Sequence, residues 1–137
     1  MTITIRPPLL DEHDSWKTLF LAYQKFYRSR VPDEIIQHTW ERIHDPQADV
    51  FGLVAEKDGQ LIGLTHYLFH SSTRSNRPNC YLEDLFVSKA ARGSGAARLL
   101  IEGAEAAAKE KGAFRLYLHT QEFTSAARSL YATLIPR

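Results

Sequence analysis

Cysteine is almost missing from this chain: Cys80 is its single thiol in 137 residues. One thiol excludes an internal disulfide and agrees with a reducing compartment. At the start of an apolar strand it reads as a buried packing group. An excess of charge is missing as well. The 17 Lys and Arg against 16 Asp and Glu leave a net +1, with both signs interspersed. Such a chain has no basic field for a polyanion, and nucleic acid is excluded as an expected partner. No apolar run approaches a membrane span, and Met-Thr-Ile-Thr-Ile-Arg lacks the basic region and apolar core of a signal peptide. No membrane partner is expected, and the location expected is cytoplasmic. Six histidines are scattered, and none is joined by Cys or acidic residues at metal-ligand spacing, so no metal is expected. Repeats and low-complexity segments are absent. What remains is one domain over residues 1–137, long enough to bury roughly two-thirds of its extended surface around one core.

The most informative stretch runs from Tyr81 to Gly112 and reads as strand, glycine-containing turn and helix. Tyr81, Leu82, Leu85, Phe86 and Val87 make an apolar strand interrupted by Glu83 and Asp84, the pattern of a strand buried except where it reaches a site. Ser88 to Arg92 turns the chain, and Gly93 and Gly95 let the backbone approach a ligand with no Cβ in the way. From Ala96 the sequence is strongly helical, to about Lys111, with Gly112 as the stop. Such a turn leaves peptide N–H groups unpaired where the helix dipole is positive. That is a site for an anion, above all a phosphate. Arg92 adds a charge, and small Ser94, Ala96 and Ala97 keep the approach open. The plain alternative is an ordinary strand-to-helix turn capped by Ser94.

Arg92, Gly95 and Ala97 also fit a known spacing: Arg or Gln, two residues, Gly, one residue, Gly or Ala. With the L-F-V strand before it, R-G-S-G-A-A resembles the signature of the GNAT superfamily of acetyl-coenzyme A dependent N-acetyltransferases. The resemblance extends roughly from Val50 to Tyr131, and Y-L-E-D-L-F-V looks like the diamine and polyamine branch. It implies acetyl-CoA as co-substrate, a small-molecule amine as acceptor and direct attack in a ternary complex. Pantetheine would lie along Leu85, Phe86 and Val87, with an amide near Phe86 as oxyanion donor. The pyrophosphate would rest on Arg92, Gly93, Ser94, Gly95, Ala96 and Ala97. Thr124 stands where the family often has an Asn that contacts the cofactor. Tyr131, in A-A-R-S-L-Y, stands at the family's general-acid tyrosine, although a tyrosine at a helix end also serves simply to pack. Tyr27 and Arg28, between two helices, fall where the family forms its acceptor pocket, or form a solvated turn.

An alkylamine is mostly protonated at neutral pH, so a base must take its proton. Glu83 is the candidate, with Asp84 beside it for a cationic substrate; both could instead bind basic side chains elsewhere in the fold.

The fold expected is α/β (α+β): a GNAT-like mixed sheet of about five strands, antiparallel but for a central parallel crossover pair, with helices on both faces. Strands are expected at Thr2–Arg6, Phe51–Glu56, Leu61–Phe69, from Tyr81, and at Arg115–His119. Asp58-Gly59 signals a hairpin. Helices are expected after an Asp11 N-cap, with Trp16, Leu19, Phe20 and Tyr23 inward, and from near Pro32, with Ile35, Ile36, Thr39, Trp40 and Ile43 inward. The family continues past its tyrosine into a further strand, and this sequence ends in Ala-Thr-Leu-Ile-Pro-Arg. The apolar edge at Leu116 to Leu118 therefore predicts a homodimer. Two rivals stand beside the enzyme: a module that binds acetyl-CoA without turnover, and a dinucleotide oxidoreductase. Against the second, Arg98 occupies the third glycine of G-x-G-x-x-G, and one crossover unit is visible.

Overall fold

Asp58 and Gly59 both adopt positive φ, 54° and 78°, as a two-residue hairpin turn requires if it is to follow the right-handed twist of its strands. In the computed structural model, which describes residues 2–118, this turn folds β2 (Val50–Lys57) back on β3 (Gln60–His70). β4 (Asn79–Val87) runs antiparallel to β3, and β1 (Thr4–Arg6) antiparallel to β2. α3 (Ala96–Lys111) then carries the chain to β5 (Arg115–Leu118), which pairs parallel with β4. The five-stranded order is β1-β2-β3-β4-β5. Only β4 and β5 need a long crossover, because a parallel neighbour must be entered from the same end.

The sheet is covered on both faces. α1 (His13–Phe26) and α2 (Asp33–Ile43) press Trp16, Leu19, Phe20, Ile36 and Trp40 onto Val54, Leu64 and Phe86. On the other face Leu100, Ile101, Ala104 and Ala108 of α3 meet Ala55, Tyr67, Cys80, Leu82, Leu116 and Leu118. The period-2 alternation of the strands sorts their side chains between these two cores. Cys80 is fully buried, and burial pushes its thiol up to about 12, so it is a packing group.

Two local expectations change. α1 begins at His13 after a single 3-10 turn at Leu10–Glu12, and Asp11 is not its cap. Glu12 explains the shift: its carboxylate accepts from the Leu9 amide at 2.8 Å and from both Arg6 guanidinium nitrogens at 2.8 and 2.9 Å. Ile35 is 47% exposed, because the inward stripe of α2 is Ile36, Thr39 and Trp40 and the preceding residue lies a helical step away. Leu116 and Leu118 are buried beneath α3, as the alternation of their strand implies.

Candidate functional site

In the pairing of β3 with β4, His66 lies opposite Asp84, but the next pair is Tyr67 with Leu82. Glu83 is the extra residue of a β-bulge, a feature that re-aims side chains and locally interrupts the ladder. Parallel pairing of β4 with β5 also ends at Leu82. Leu118 is the last residue described, so the segment Leu85–Val87 has no described β5 neighbour.

The bulge separates the two carboxylates. Asp84 is held from inside: its Oδ2 lies 2.9 Å from His66 Nδ1, its carbonyl accepts the Thr65 hydroxyl at 2.7 Å, and the Tyr23 phenol hydrogen-bonds its carboxylate. His66 is 3% exposed, and its Nε2 accepts the Trp16 indole N–H at 2.9 Å. An indole nitrogen only donates, so Nε2 must be unprotonated and the imidazole proton sits on Nδ1, facing Asp84. Burial first, and then the Asp84 charge, hold the Tyr23 phenol far above its ordinary range, so it remains a donor. Asp84 thus has its partners within the fold. Glu83 is exposed and forms no hydrogen bond or ion pair among the described residues. The protein atoms around it, and then the Asp84 charge, raise its carboxyl above the ordinary carboxylate value. A solvent-reachable carboxylate with a raised pKa is suited to taking a proton.

This chain from Trp16 to Asp84 has a mechanical consequence. His66→Leu leaves the buried indole N–H without an acceptor and the Asp84 carboxylate without its Nδ1–H donor, and is expected to cost on the order of 3 kcal/mol in urea unfolding. Asp84→Asn retains an oxygen to accept Nδ1–H and should cost less. Equal losses would contradict the assigned tautomer.

Beyond Val87 the backbone passes through a short 3-10 turn at Lys89–Ala91 and enters α3 through Gly93 and Gly95, whose φ angles are 84° and 90°. The helix ladder opens with Leu99 N–H to Gly95 O at 3.1 Å, and among the described residues the Ala96 amide finds only Ser94 Oγ, at 3.3 Å. The Ala97 and Arg98 amides precede that ladder, as the first amides of any helix do. A Cβ built on Gly93 or Gly95 meets nothing within 4 Å among the described residues. The glycines are thus required by backbone conformation, and no described residue fills the space at their Cβ positions. Arg92 is not aimed freely into it: its guanidinium lies 5.0 Å from the Phe26 ring centroid and 5.9 Å from that of Phe86, and its Nε donates to Val87 O at 3.4 Å. That cation links the turn, the end of α1 and β4.

Of the acceptor-side residues, Tyr27 ends α1 with its ring 5.1 Å from Tyr23, which in turn meets Phe86 at 6.0 Å. Arg28 is exposed with φ 54°, and its side chain forms no hydrogen bond or ion pair among the described residues. Thr124 and Tyr131 lie outside the described residues. Trp16, Tyr23 and His66 were missed as site residues from sequence. The available signal was His66, a lone imidazole between apolar neighbours in a strand that pairs with Glu83-Asp84. Among the described residues, no group of three or more His, Cys, Asp or Glu is placed to hold a metal, and no helix is long and apolar enough to cross a membrane.

The sequence profile of the Acetyltransferase (GNAT) family matches residues 15–134. The chain belongs to the GNAT family. D-amino-acid N-acetyltransferase HPA3 of Saccharomyces cerevisiae is 32% identical to it over 122 residues, covering 88% of this chain and 76% of the relative. An uncharacterized N-acetyltransferase, YhfO of Bacillus subtilis, is 34% identical over 113 residues, covering 82% and 75%. Among solved structures, AAC(6')-Iy in complex with the bisubstrate analog CoA-S-monomethyl-acetylneamine superposes with a TM-score of 0.81 at 20% identity, over 96% of this chain and 88% of that one. A ribosomal-protein-alanine N-acetyltransferase from Brucella melitensis gives a TM-score of 0.76 at 19% identity, over 96% and 89%. At such identities the likeness concerns the fold, the mixed α/β GNAT fold. That fold uses acetyl-CoA, and the chain is a GNAT N-acetyltransferase enzyme.

Proposed function

We propose that this GNAT enzyme acetylates a primary amine of a small molecule in a ternary complex, with Glu83 as the group that takes the amine's proton. The observation that carries the reading is the division made by the bulge: Asp84 is engaged by His66 and Tyr23, while Glu83 remains exposed and unpaired among the described residues. Acetyl-CoA would supply the activated acetyl thioester. The open turn fits its pyrophosphate, because unpaired amides, positive dipole and free space coincide there. Gly93, Ser94, Gly95, Ala96 and Ala97 would hold the phosphates, with Arg92 at their side and Thr124 as a further contact. The backbone of Leu85, Phe86 and Val87 would line the pantetheine arm. Tyr23 and Tyr27 wall the acceptor side, and Asp84 keeps that side negative.

Two acceptor classes have support: diamines and polyamines, through the likeness of Y-L-E-D-L-F-V to that branch, and amino acids, through the activity for which the yeast relative is named. A panel of amines assayed for coenzyme A release tests the proposal. Coenzyme A binding with no amine acetylated would leave a binding module. Tyr131 is proposed as the proton donor to the departing thiolate, a role that suits a phenol held close. Tyr131→Phe should then lower kcat at least tenfold with little change in coenzyme A affinity, and an unchanged kcat removes it from the mechanism. The buried, unpaired Cys80 supports a reducing, cytoplasmic setting. Light scattering will decide whether the chain pairs as a homodimer.

A further inference from the structure

We infer that Arg92 is a positioning residue for the acceptor, its guanidinium tying the acceptor-side end of α1 to the coenzyme turn through Phe26 and Phe86. This rests on the acetyl-transfer reading and adds a residue to it. Phe26 is the last residue of α1 and is 46% exposed. Its ring meets Tyr27 edge-on at 5.0 Å, and the Arg92 guanidinium lies 5.0 Å from its centroid. The same cation lies 5.9 Å from the centroid of the buried Phe86 ring, and its Nε donates to Val87 O at 3.4 Å. One cation therefore spans a ring of the acceptor-side helix, a ring of β4 and the carbonyl that ends β4, and each ring attracts it through its negative face.

A guanidinium can meet rings with its planar face and a phosphate with its edge, which an ammonium cannot do at once. Among the described residues the Nη groups of Arg92 form no hydrogen bond, and the next residue, Gly93, begins the proposed pyrophosphate turn. A phosphate held there would fix those Nη donors, and with them the guanidinium against Phe26. Tyr27 follows Phe26 and leads on to Tyr23 at 5.1 Å. Coenzyme binding thus stiffens the acceptor wall before the amine arrives. A second ligand that finds its wall already ordered loses less entropy, and the coupling is reciprocal.

Coenzyme A alone is the first probe, read by amide hydrogen exchange. The amides of Tyr27, Arg28 and Ser29 close the end of α1 on Tyr23 O, Lys25 O and Gln24 O. In wild type coenzyme A is expected to slow their exchange about fivefold or more, and in Phe26→Leu to leave it unchanged. Phe26→Trp, which keeps a ring, should retain the protection. At saturating acetyl-CoA, with putrescine and D-alanine as acceptors, Phe26→Leu should raise the acceptor KM roughly two- to fivefold, the worth of a cation–π contact at an exposed ring. Arg92→Lys should keep most of the coenzyme A affinity and raise the acceptor KM at least as much, whereas an arginine serving only as a charge for phosphate would be replaced by lysine on both counts. In Arg92→Gln the further change Phe26→Leu should leave the acceptor KM where it is, because the contact is already gone. Thermal unfolding checks that each variant is folded. Wild type showing no protection, protection that persists in Phe26→Leu, or KM effects that multiply in the double variant, overturns the role of Arg92 while leaving acetyl transfer intact. The exchange measurement needs no acceptor, so the choice of amine does not shelter the idea. Failure to bind coenzyme A would reject the acetyl-transfer reading, and this role with it.

Discussion

Gly95→Glu is expected to weaken coenzyme A binding at least hundredfold, and calorimetry on the purified chain reads the effect directly. Gly95 sits at φ 90°, where an L-residue carrying a Cβ loses roughly 1–2 kcal/mol. That strain alone would lower stability without abolishing affinity. The carboxylate does the greater damage, because it would compete for the same helix-start amides and repel a pyrophosphate. Two like charges about 4 Å apart near a protein surface cost about 4 kcal/mol. Two companion variants separate these causes. Gly95→Ala introduces the strain without the charge and should cost only a modest part of the affinity. Gly112→Ala introduces similar strain at the other end of the same helix, where φ is 83°, and should cost about 1 kcal/mol of stability with affinity intact. If Gly95→Glu binds coenzyme A like wild type, the turn is not the phosphate site.

Glu83→Gln should lower kcat by about 10²- to 10⁴-fold, the usual worth of a positioned proton acceptor. The pH profile makes the test specific. The carboxyl of Glu83 is raised by the protein atoms around it and by Asp84, and only the deprotonated form can accept a proton. Activity should therefore fall as the pH drops through a value above the ordinary carboxylate range, and be fully present above it. In Glu83→Gln that acidic limb should disappear along with most of the rate. A limb that persists would assign the titration to another group. Asp84→Asn makes the contrast: its main effect should be on stability, because the Asp84 carboxylate is already engaged by His66 and Tyr23.

Much of the framework was legible residue by residue because short-range physics sets it. Asp58-Gly59 supplied the positive φ angles of the hairpin, and Gly112 ended α3 with φ 83°. The strand alternation of Arg115 to Leu118 placed Leu116 and Leu118 on the buried face. Where neighbours compete, local reading slipped. Arg6 and Glu12 bound each other across a turn, displaced the expected Asp11 cap and moved the start of α1 to His13.

The site divides along the same line. The helix-start turn at Gly93 to Ala97 is a property of contiguous residues, since glycine alone enters positive φ freely and the first amides of a helix lack partners wherever it sits. Sequence by itself therefore determined the candidate anion site, the crossover unit and the family signature. It did not determine which of two adjacent acids is free. That was decided by a bulge in the β3–β4 register, and by a histidine whose indole donor lies 50 residues away along the chain. Which polar groups find partners is settled only when packing brings distant segments together, because the cost of an unpaired donor or charge depends on what surrounds it, not on its neighbours in the chain.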